Sequence, residues 1–524
     1  MNTTQILTTI LVVLFFGLMV GVGFLCRKRA SDVDGFVLGG RSVGPWLTAF
    51  AFGTSYFSAV IFVGYAGQFG YNFGLASTWI GLGNAFIGSL LAWNVLGRRT
   101  RLMTQHIDSR TMPDFFEKRY GSRALKIAAS VIVFIFLIPY TASLYNGLSS
   151  LFAVSFNIPY WICIVVMAAL TCVYVIFGGY MATAVNDFIQ GIIMLVGIVA
   201  VIAGALSVNG GFMGSVEALA TSPVGGWEYT ALFGPDPISL LMVVMLTSLG
   251  TWGLPQMVGK FYSIKNESMI KTGTLISTVF AIIVAGGCYF LGGFGRLFVT
   301  PESVADAGFD SIIPTMISGL SPIIVSVVIV LVLSASMSTL SSLVLTSSST
   351  LTLDIVMPLT KNPSEKKKLL VLRLFILFFI VLSAVIAILK DTVWSDVVFI
   401  AQMMGVSWGA LAGAFLAPFL YGLYWKGASR PAVWASFGFG VGIMLIQLLL
   451  SLKLFTVPGA VLGFVFKNSL HSGVFAMLGG LVIVPIVSLF TRSHRPEDTD
   501  KIFSCYDAKV VVPAKSALDS DTIK

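Results

Sequence analysis

The sequence predicts an all-α membrane protein with about 13 transmembrane helices. Of the 524 residues, 56% are hydrophobic and only 10% are charged, whereas about 25% of a typical soluble domain is charged. Long apolar windows recur along the chain, and about 20 apolar residues are needed to cross a bilayer core as a helix. Such uninterrupted runs exclude a transmembrane β-barrel, in which apolar and polar residues alternate. This composition also excludes a soluble enzyme and a nucleic-acid-binding protein.

The apolar windows are distributed over almost the whole chain. They lie near residues 5–25, 46–69, 75–97, 127–153, 159–179, 187–208, 238–259, 272–295, 321–352, 369–389, 394–423, 431–452 and 473–491. The first window has no basic segment before it and is followed by Arg27, Lys28 and Arg29, so we expect a mature helix rather than a cleaved signal.

The basic residues separate cleanly between alternate loops. With the N-terminus outside, the inner loops and the tail hold 28 of the 32 Lys and Arg residues, and the outer loops hold only Arg296, Lys390, Lys453 and Lys467. Because positive charge collects on the cytoplasmic side, we expect a multi-pass protein of the cell (plasma) membrane with its C-terminus in the cytoplasm. The net charge of +9 therefore lies in loops rather than in a basic groove.

Two apolar helices are interrupted by polar and helix-weakening residues. The second window contains Ala51–Ala59, with a glycine and three Ser or Thr residues, and the seventh contains Thr247–Gln256, with two glycines and a proline. The two breaks are five helices apart, which is the pattern of an inverted repeat of two five-helix halves. Unwound backbone at such breaks can bind ions and substrates. The alternative is that glycine and serine only allow close helix packing.

The ninth window is unusually rich in hydroxyl groups. Ala335, Ser338, Thr339 and Ser342 follow the spacing of one helix face. Hydroxyl oxygens can coordinate a hard monovalent cation together with backbone carbonyls. A packing seam between helices would show the same pattern.

Asp187 lies at the start of the sixth window. A carboxylate at membrane depth is costly and marks a candidate site, although it could also face water or cap the helix N-terminus. It is the one such carboxylate that the sequence indicates, and no Lys or Arg is expected within a span.

Four motifs together resemble the sodium/solute symporter family, which includes sodium/proline, pantothenate, sialic acid and glucose carriers. They are Gly39–Pro45, Gly178–Asp187, Gly253–Phe261 and Ala335–Ser342, and the resemblance extends from about Asp34 to about Gly442. It implies a leucine-transporter-type five-plus-five inverted repeat. The expected division is a leading helix and inner loop (1–45), a ten-helix transport core (46–424, with repeats of about 46–208 and 238–424), two additional helices (425–491) and a cytoplasmic tail (492–524).

The resemblance also implies the ion sites, with Na+ as the coupling ion. The main sodium site would use the backbone carbonyls of Thr54, Phe57 and Ala335 and the hydroxyls of Ser338 and Thr339. A second sodium site, present in some members, would use Asp187, Ser341 and Ser342. The chain departs from the family at Tyr56, where some proline carriers have an aspartate, and at Pro431-Ala432, where a Gly-Ala pair is usual.

The expected function is import of a small organic solute by alternating access, without enzymatic chemistry or catalytic residues. The solute would be an amino acid, a carboxylate or a sugar, with a zwitterion or small organic acid favoured because no basic residue is expected within a span. Its site would be lined by Ser55, Ser58, Gln68, Tyr140, Asn146, Thr251, Trp252 and Gln256. We expect a monomer surrounded by the lipid bilayer, with no nucleic-acid partner. A proton-coupled carrier of the same fold and an ion channel are the alternatives.

Overall fold

The computed structural model describes residues 3–55, 57–156, 159–361, 363–392 and 400–507. These residues form helices and no named strand, and one isolated bridge joins Val43 to Ile264. The helices that build the bundle are α1 (Thr3–Cys26), α2 (Pro45–Thr54), α3 (Ala66–Phe73), α4 (Arg123–Phe156), α5 (Tyr160–Ser207), α6 (Pro237–Leu249), α7 (Pro255–Tyr262), α8 (Met269–Ala281), α9 (Pro322–Thr350), α10 (Glu365–Thr392), α11 (Ile400–Tyr424), α12 (Arg430–Ser451) and α13 (Ser469–Phe490). Between α3 and α4 the chain crosses back through Thr78–Gly83, Asn84–Leu91, Trp93–Gly97 and Arg98–His106. The all-α prediction is confirmed.

Two of the apolar helical stretches are too long for one crossing. Among the described residues, ten helices are long and apolar enough to span a bilayer, and the pair Pro237–Gly253 and Pro255–Tyr262, bent by 46°, forms an eleventh span. The stretches Val60–His106 and Tyr160–Ser207 have 47 and 48 residues, or about 70 Å each if straight. Gly74 and Gly179 interrupt them with positive φ angles of 61° and 54°, which glycine adopts without strain. If each stretch crosses twice, the described chain has thirteen spans.

The loops contact one another in two separate groups. On one side, Arg110 pairs with Asp34 at 2.7 Å and Arg98 with Glu267 at 2.6 Å. We call this end of the bundle, formed by the loops 27–41, 98–126 and 260–271, the basic side. On the opposite side, which carries the loops 209–237 and 296–320, Arg296 donates to the Tyr71 carbonyl at 2.6 Å. This grouping follows the alternation of basic and non-basic loops along the sequence.

The bundle places two broken spans around one hydroxyl-rich helix. α2 ends at Thr54 and helix resumes at Val60 after the break. α6 continues as a 3-10 turn to Gly253, and α7 starts after Leu254, which is extended and precedes a proline. α9 packs against α1, α2, α4 and α5, and its middle is completely enclosed by protein. Both breaks lie where the glycine and proline patterns predict them.

Close glycine contacts hold the outer parts of this core together. A Cβ atom at Gly70 in α3 would lie 2.0 Å from the carbonyl carbon of Gly292, whereas a Cβ at Gly17 in α1 would meet no atom within 4 Å. We expect Gly70→Ala to lower the free energy of unfolding by about 1–3 kcal/mol, because backbone must move to accept the methyl group. Gly17→Ala is the control. Thermal unfolding of the purified protein in detergent measures both, and equal midpoints for the two variants would contradict the close contact.

Candidate functional site

The break in α2 faces the hydroxyl-rich middle of α9. The Thr339 hydroxyl oxygen lies 3.2 Å from the carbonyl oxygen of Thr54, 3.1 Å from that of Phe57 and 3.1 Å from that of Ala335. The Ser338 hydroxyl oxygen lies 3.2 Å from the Thr54 carbonyl oxygen and 3.0 Å from that of Ala335. All five residues are buried. The structure therefore brings together the five groups predicted for the main sodium site.

The chemistry of this cluster fits a monovalent cation. Each hydroxyl has one proton to donate and each carbonyl oxygen has two lone pairs, so two protons face three carbonyl oxygens. Thr54 ends a helix, and the last carbonyls of a helix have no partner within it. Among the described residues, no basic side chain forms an ion pair or a hydrogen bond with any of the five. A hard cation would supply the positive charge that this oxygen-rich cluster lacks.

The residues predicted for a second sodium site are arranged differently. Asp187 lies within α5, eight positions after Gly179, and is fully buried, so it does not cap a helix N-terminus. Its Oδ2 atom is 3.6 Å from Nζ of Lys260, and the Lys260 ammonium donates to Ser342 Oγ at 3.0 Å. The Ser341 hydroxyl donates to the Ser338 carbonyl at 2.9 Å.

Lys260 corrects the expectation that no Lys or Arg lies within a span. The basic-residue pattern assigns it to an inner loop, but α7 continues to Tyr262 after the break and buries Lys260 to 4% exposure. A loop residue at this position would be solvated, whereas a residue on the turn after Gln256 points into the bundle. The sequence feature that could have indicated the burial of Lys260 is the short helical segment that follows Pro255.

Three buried polar atoms lie together close to the break in α2. Ser58 follows Phe57, and the Tyr140 hydroxyl lies beside Ser58 and Trp408. The rings of Tyr140 and Trp408 are 6.0 Å apart and nearly perpendicular. Ser58 Oγ, Tyr140 Oη and Trp408 Nε1 are buried, and among the described residues they have no hydrogen-bond partner beyond one another. Because three buried polar groups that have only one another leave hydrogen-bonding capacity unused, these atoms are candidates for contact with a solute. Trp408 was not predicted, since a single tryptophan in an apolar window carries no distinct signal.

The other predicted solute residues lie in different surroundings. Asn146 Nδ2 is 3.9 Å from Met403 Sδ on α11, and Asn146 Oδ1 has no described partner. Ser55 Oγ is 3.0 Å from Ser342 Oγ, so Ser55 belongs to the Lys260 network. Thr251 donates to the Ser248 carbonyl at 2.8 Å and Trp252 donates to the Ile87 carbonyl at 3.0 Å, so their polar atoms are used in helix packing.

Gln68 and Gln256 line two cavities on opposite sides of this region. A cavity of about 50 Å³ on the basic side is bounded by Gln256, Lys260 and Ser342 together with Thr111 and Tyr180. A cavity of about 260 Å³ on the opposite side is bounded by Gln68 together with Asn72, Asp236, Lys467 and His471. The two glutamines therefore line separate cavities.

A cluster of charged residues on the basic side also escaped prediction. Lys126 Nζ lies 2.8 Å from Asp114 Oδ1, 2.8 Å from Glu117 Oε2 and 3.6 Å from Asp354 Oδ1. The Thr111 hydroxyl donates to Asp354 Oδ2 at 2.6 Å. Burial raises the pKa of Asp114, but Lys126 and Lys118 outweigh burial and hold that pKa below its usual value. The sequence indicated Asp187 alone as a carboxylate at membrane depth. Asp354, just past the ninth window, is buried as well.

Comparison with known proteins agrees with this architecture. The model of the sodium:solute symporter family matches residues 36–442. Sodium/proline symporter 2 of Staphylococcus saprophyticus is 28% identical over 450 residues, which cover 84% of this chain and 85% of that protein.

Two solved structures show the same fold. A Na+-coupled sialic acid symporter, in a substrate-bound outward-open state, has a TM-score of 0.71 at 17% identity and covers 92% of this chain and 98% of its own. The nucleobase-cation-symport-1 family transporter Mhp1, in a closed conformation with bromovinylhydantoin bound, has a TM-score of 0.52 at 15% identity and covers 90% of this chain and 98% of its own. The fold is thus of the leucine-transporter type, in a multi-pass membrane protein with Na+ as its coupling ion. The chain belongs to the sodium:solute symporter family and is a sodium-coupled symporter.

Proposed function

We propose that this symporter imports a small zwitterion or organic acid together with sodium held by Thr54, Phe57, Ala335, Ser338 and Thr339. The observation that carries the proposal is the position of the buried polar atoms of Ser58, Tyr140 and Trp408 next to the Phe57 end of the oxygen cluster. The ion and the solute would then share one break in α2. Binding of the ion would fix the backbone that also contacts the solute, which is a direct route to coupling.

The charges around the proposed pocket favour a solute with little net charge. Ser58, Tyr140 and Trp408 offer hydroxyl and indole groups, and no charged side chain forms a described hydrogen bond or ion pair with them. A polyanion would require arginine or lysine partners. One carboxylate can instead be met by neutral donors and by the nearby sodium ion. The proline carrier of S. saprophyticus transports, by its name, a solute of this class.

The proposed topology has the N-terminus outside and the C-terminal tail in the cytoplasm of a plasma-membrane protein. It is supported by the concentration of basic residues on the basic side, because positive loops are retained inside. The proposed division of the chain is a leading helix and inner loop (1–45), a transport core (46–424), two additional helices (425–491) and a cytoplasmic tail (492–524). We propose that the monomer is functional, since one chain supplies every group of the site.

Uptake into liposomes tests the proposal. The purified protein is reconstituted and offered a panel of radiolabelled amino acids, carboxylates and sugars, with an inward sodium gradient or with none. We expect sodium-dependent uptake of one zwitterion or carboxylate class. Sodium-driven uptake of sugars alone would overturn the assignment of solute class, and uptake driven by a pH gradient without sodium would overturn the sodium site.

Removal of the Tyr140 hydroxyl tests the pocket itself. We expect Tyr140→Phe to raise the KM for the solute by about 2–10-fold, because one hydrogen bond contributes about 0.5–1.5 kcal/mol. The sodium concentration for half-maximal uptake should change little. Tyr421→Phe is the matched control, since the Tyr421 hydroxyl donates to the Leu481 carbonyl at 2.9 Å, away from the break. An unchanged KM in Tyr140→Phe would remove Tyr140 from the pocket.

A further inference from the structure

Lys260 places a basic side chain among the residues expected to bind a second sodium ion. Its side chain is 4% exposed, with Nζ 3.6 Å from Asp187 Oδ2, 3.0 Å from Ser342 Oγ and 5.3 Å from the centre of the Tyr180 ring. Asp187 and Ser342 are two of the three residues in the second set. The ammonium group therefore lies where the second ion would have to lie.

The charge of Asp187 is already balanced. Its carboxylate oxygens have no hydrogen-bond partner in the described part of the chain, and Lys260 is the one cation there within ion-pair distance. A carboxylate and an ammonium together carry no net charge. Only neutral hydroxyl oxygens are then left to attract a sodium ion. One of them, the hydroxyl of Ser341, donates its proton to the Ser338 carbonyl at 2.9 Å.

We infer that the Lys260 ammonium takes the place of a second sodium ion, so that this protein binds and transports one sodium ion per solute. The residues Asp187, Ser341 and Ser342 do not fit a second sodium ion while Lys260 lies between them. The inference rests on the main sodium site proposed above and adds the ion stoichiometry.

Like charges make joint occupancy unfavourable. A sodium ion on the same Asp187 and Ser342 oxygens would lie a few ångströms from Nζ. Two unit charges about 4 Å apart in a protein repel strongly enough to weaken binding on the order of a thousandfold. The Lys260 side chain is tethered to α7, whereas a sodium ion must be drawn from solution.

The position of Lys260 also connects this ammonium to the main site. Its contact Ser342 lies 3.0 Å from Ser55 Oγ, and Ser55 adjoins Thr54, whose carbonyl oxygen faces Ser338 and Thr339. A fixed cation at Ser342 thus orders the start of the break in α2 through one hydrogen-bonded pair. An ion pair that only anchors α5 to α7 would order the break in the same way. Counting the bound sodium ions distinguishes the two roles.

Equilibrium binding of radioactive sodium to the purified full-length protein gives the count. We expect one bound ion per chain and a Hill coefficient of about one. Two ions per wild-type chain would overturn the inference. No bound ion at all would instead overturn the main sodium site, which Ser338→Ala/Thr339→Ala tests separately.

Substitutions at Lys260 identify what excludes the second ion. We expect Lys260→Ala, which leaves Asp187 without a counter-charge, to bind two sodium ions per chain, and Lys260→Arg to bind one. The double variant Asp187→Asn/Lys260→Met removes both charges and should also bind one. A single ion in a folded Lys260→Ala would overturn the role of the ammonium. If Lys260→Ala fails to fold, the sodium counts of the wild type and of Asp187→Asn/Lys260→Met test the inference. Two bound ions in either of these proteins would overturn it.

Discussion

Loss of both hydroxyls in Ser338→Ala/Thr339→Ala is expected to abolish sodium-dependent transport at physiological sodium concentrations. The two hydroxyl oxygens are the side-chain part of the five-oxygen cluster, and the other three oxygens are backbone carbonyls that substitution cannot remove. If each lost oxygen costs about 1.4 kcal/mol, a value within the range for removing one buried polar partner, the sodium affinity falls by about 100-fold. The effect should appear as a higher sodium concentration for half-maximal uptake.

The control for this experiment lies on the same helix. The Ser336 hydroxyl donates to the Val332 carbonyl at 2.8 Å and makes no described contact with the break. Ser336→Ala therefore removes a buried hydroxyl from α9 without touching the cluster, and its sodium dependence should stay close to wild type. Uptake is measured over a range of sodium concentrations at fixed solute, with protein content checked in each liposome preparation. An unaltered sodium dependence in the double variant would eliminate the main site.

The parts of the site that depend on local sequence were predictable. Hydroxyls at Ser338 and Thr339 follow the helical spacing that puts them on one face, and glycine with serines marks the break after Thr54. The family resemblance then paired the two segments, and the structure places them within hydrogen-bonding distance. The positions of the apolar spans followed from the apolar windows for the same reason, since hydropathy is a property of short stretches of chain.

The parts that depend on distant packing were not predictable. The indole of Trp252 donates to the carbonyl of Ile87, which lies 165 positions away, and no local pattern distinguishes this packing contact from a solute contact. Lys260 has the composition of a loop residue, and its burial follows from the direction that α7 takes after Leu254. Trp408 approaches Tyr140 only because α11 packs on α4.

The largest expected change in stability comes from Lys126→Met. Lys126 is the shared cation of Asp114, Glu117 and Asp354, with Nζ between 2.8 and 3.6 Å from all three carboxylates. The Asp354 side chain is 1% exposed and that of Asp114 is 9% exposed. Removing one partner of a buried ion pair costs about 3–5 kcal/mol, because the remaining charges stay buried without compensation. We expect the variant to unfold at a clearly lower temperature in detergent and to be present at a lower level in membranes.

Two companion variants separate this cause from a general loss of charge. Lys118 also pairs with Asp114, at 3.0 Å, but its side chain is 35% exposed, so Lys118→Met should cost no more than about 1 kcal/mol. Adding Asp354→Asn to Lys126→Met replaces the most deeply buried of the three carboxyl groups by a neutral amide and should restore part of the lost stability. Equal losses for Lys118→Met and Lys126→Met would show that burial of the cluster does not determine its contribution.

The pH dependence of Lys126→Met gives an independent test of the same cluster. In the wild-type protein the pKa of Asp114 lies below its usual value, because Lys126 and Lys118 outweigh the effect of burial. A carboxylate with a lowered folded-state pKa contributes stability above its unfolded-state pKa of about 4, and the contribution is lost as the pH falls through the folded-state pKa. Without Lys126, burial favours the protonated form and Asp114 can neutralise itself on acidification. The difference in unfolding midpoint between wild type and Lys126→Met should therefore be greatest near neutral pH and shrink as the pH approaches about 4, and a difference that does not change with pH would contradict this electrostatic origin.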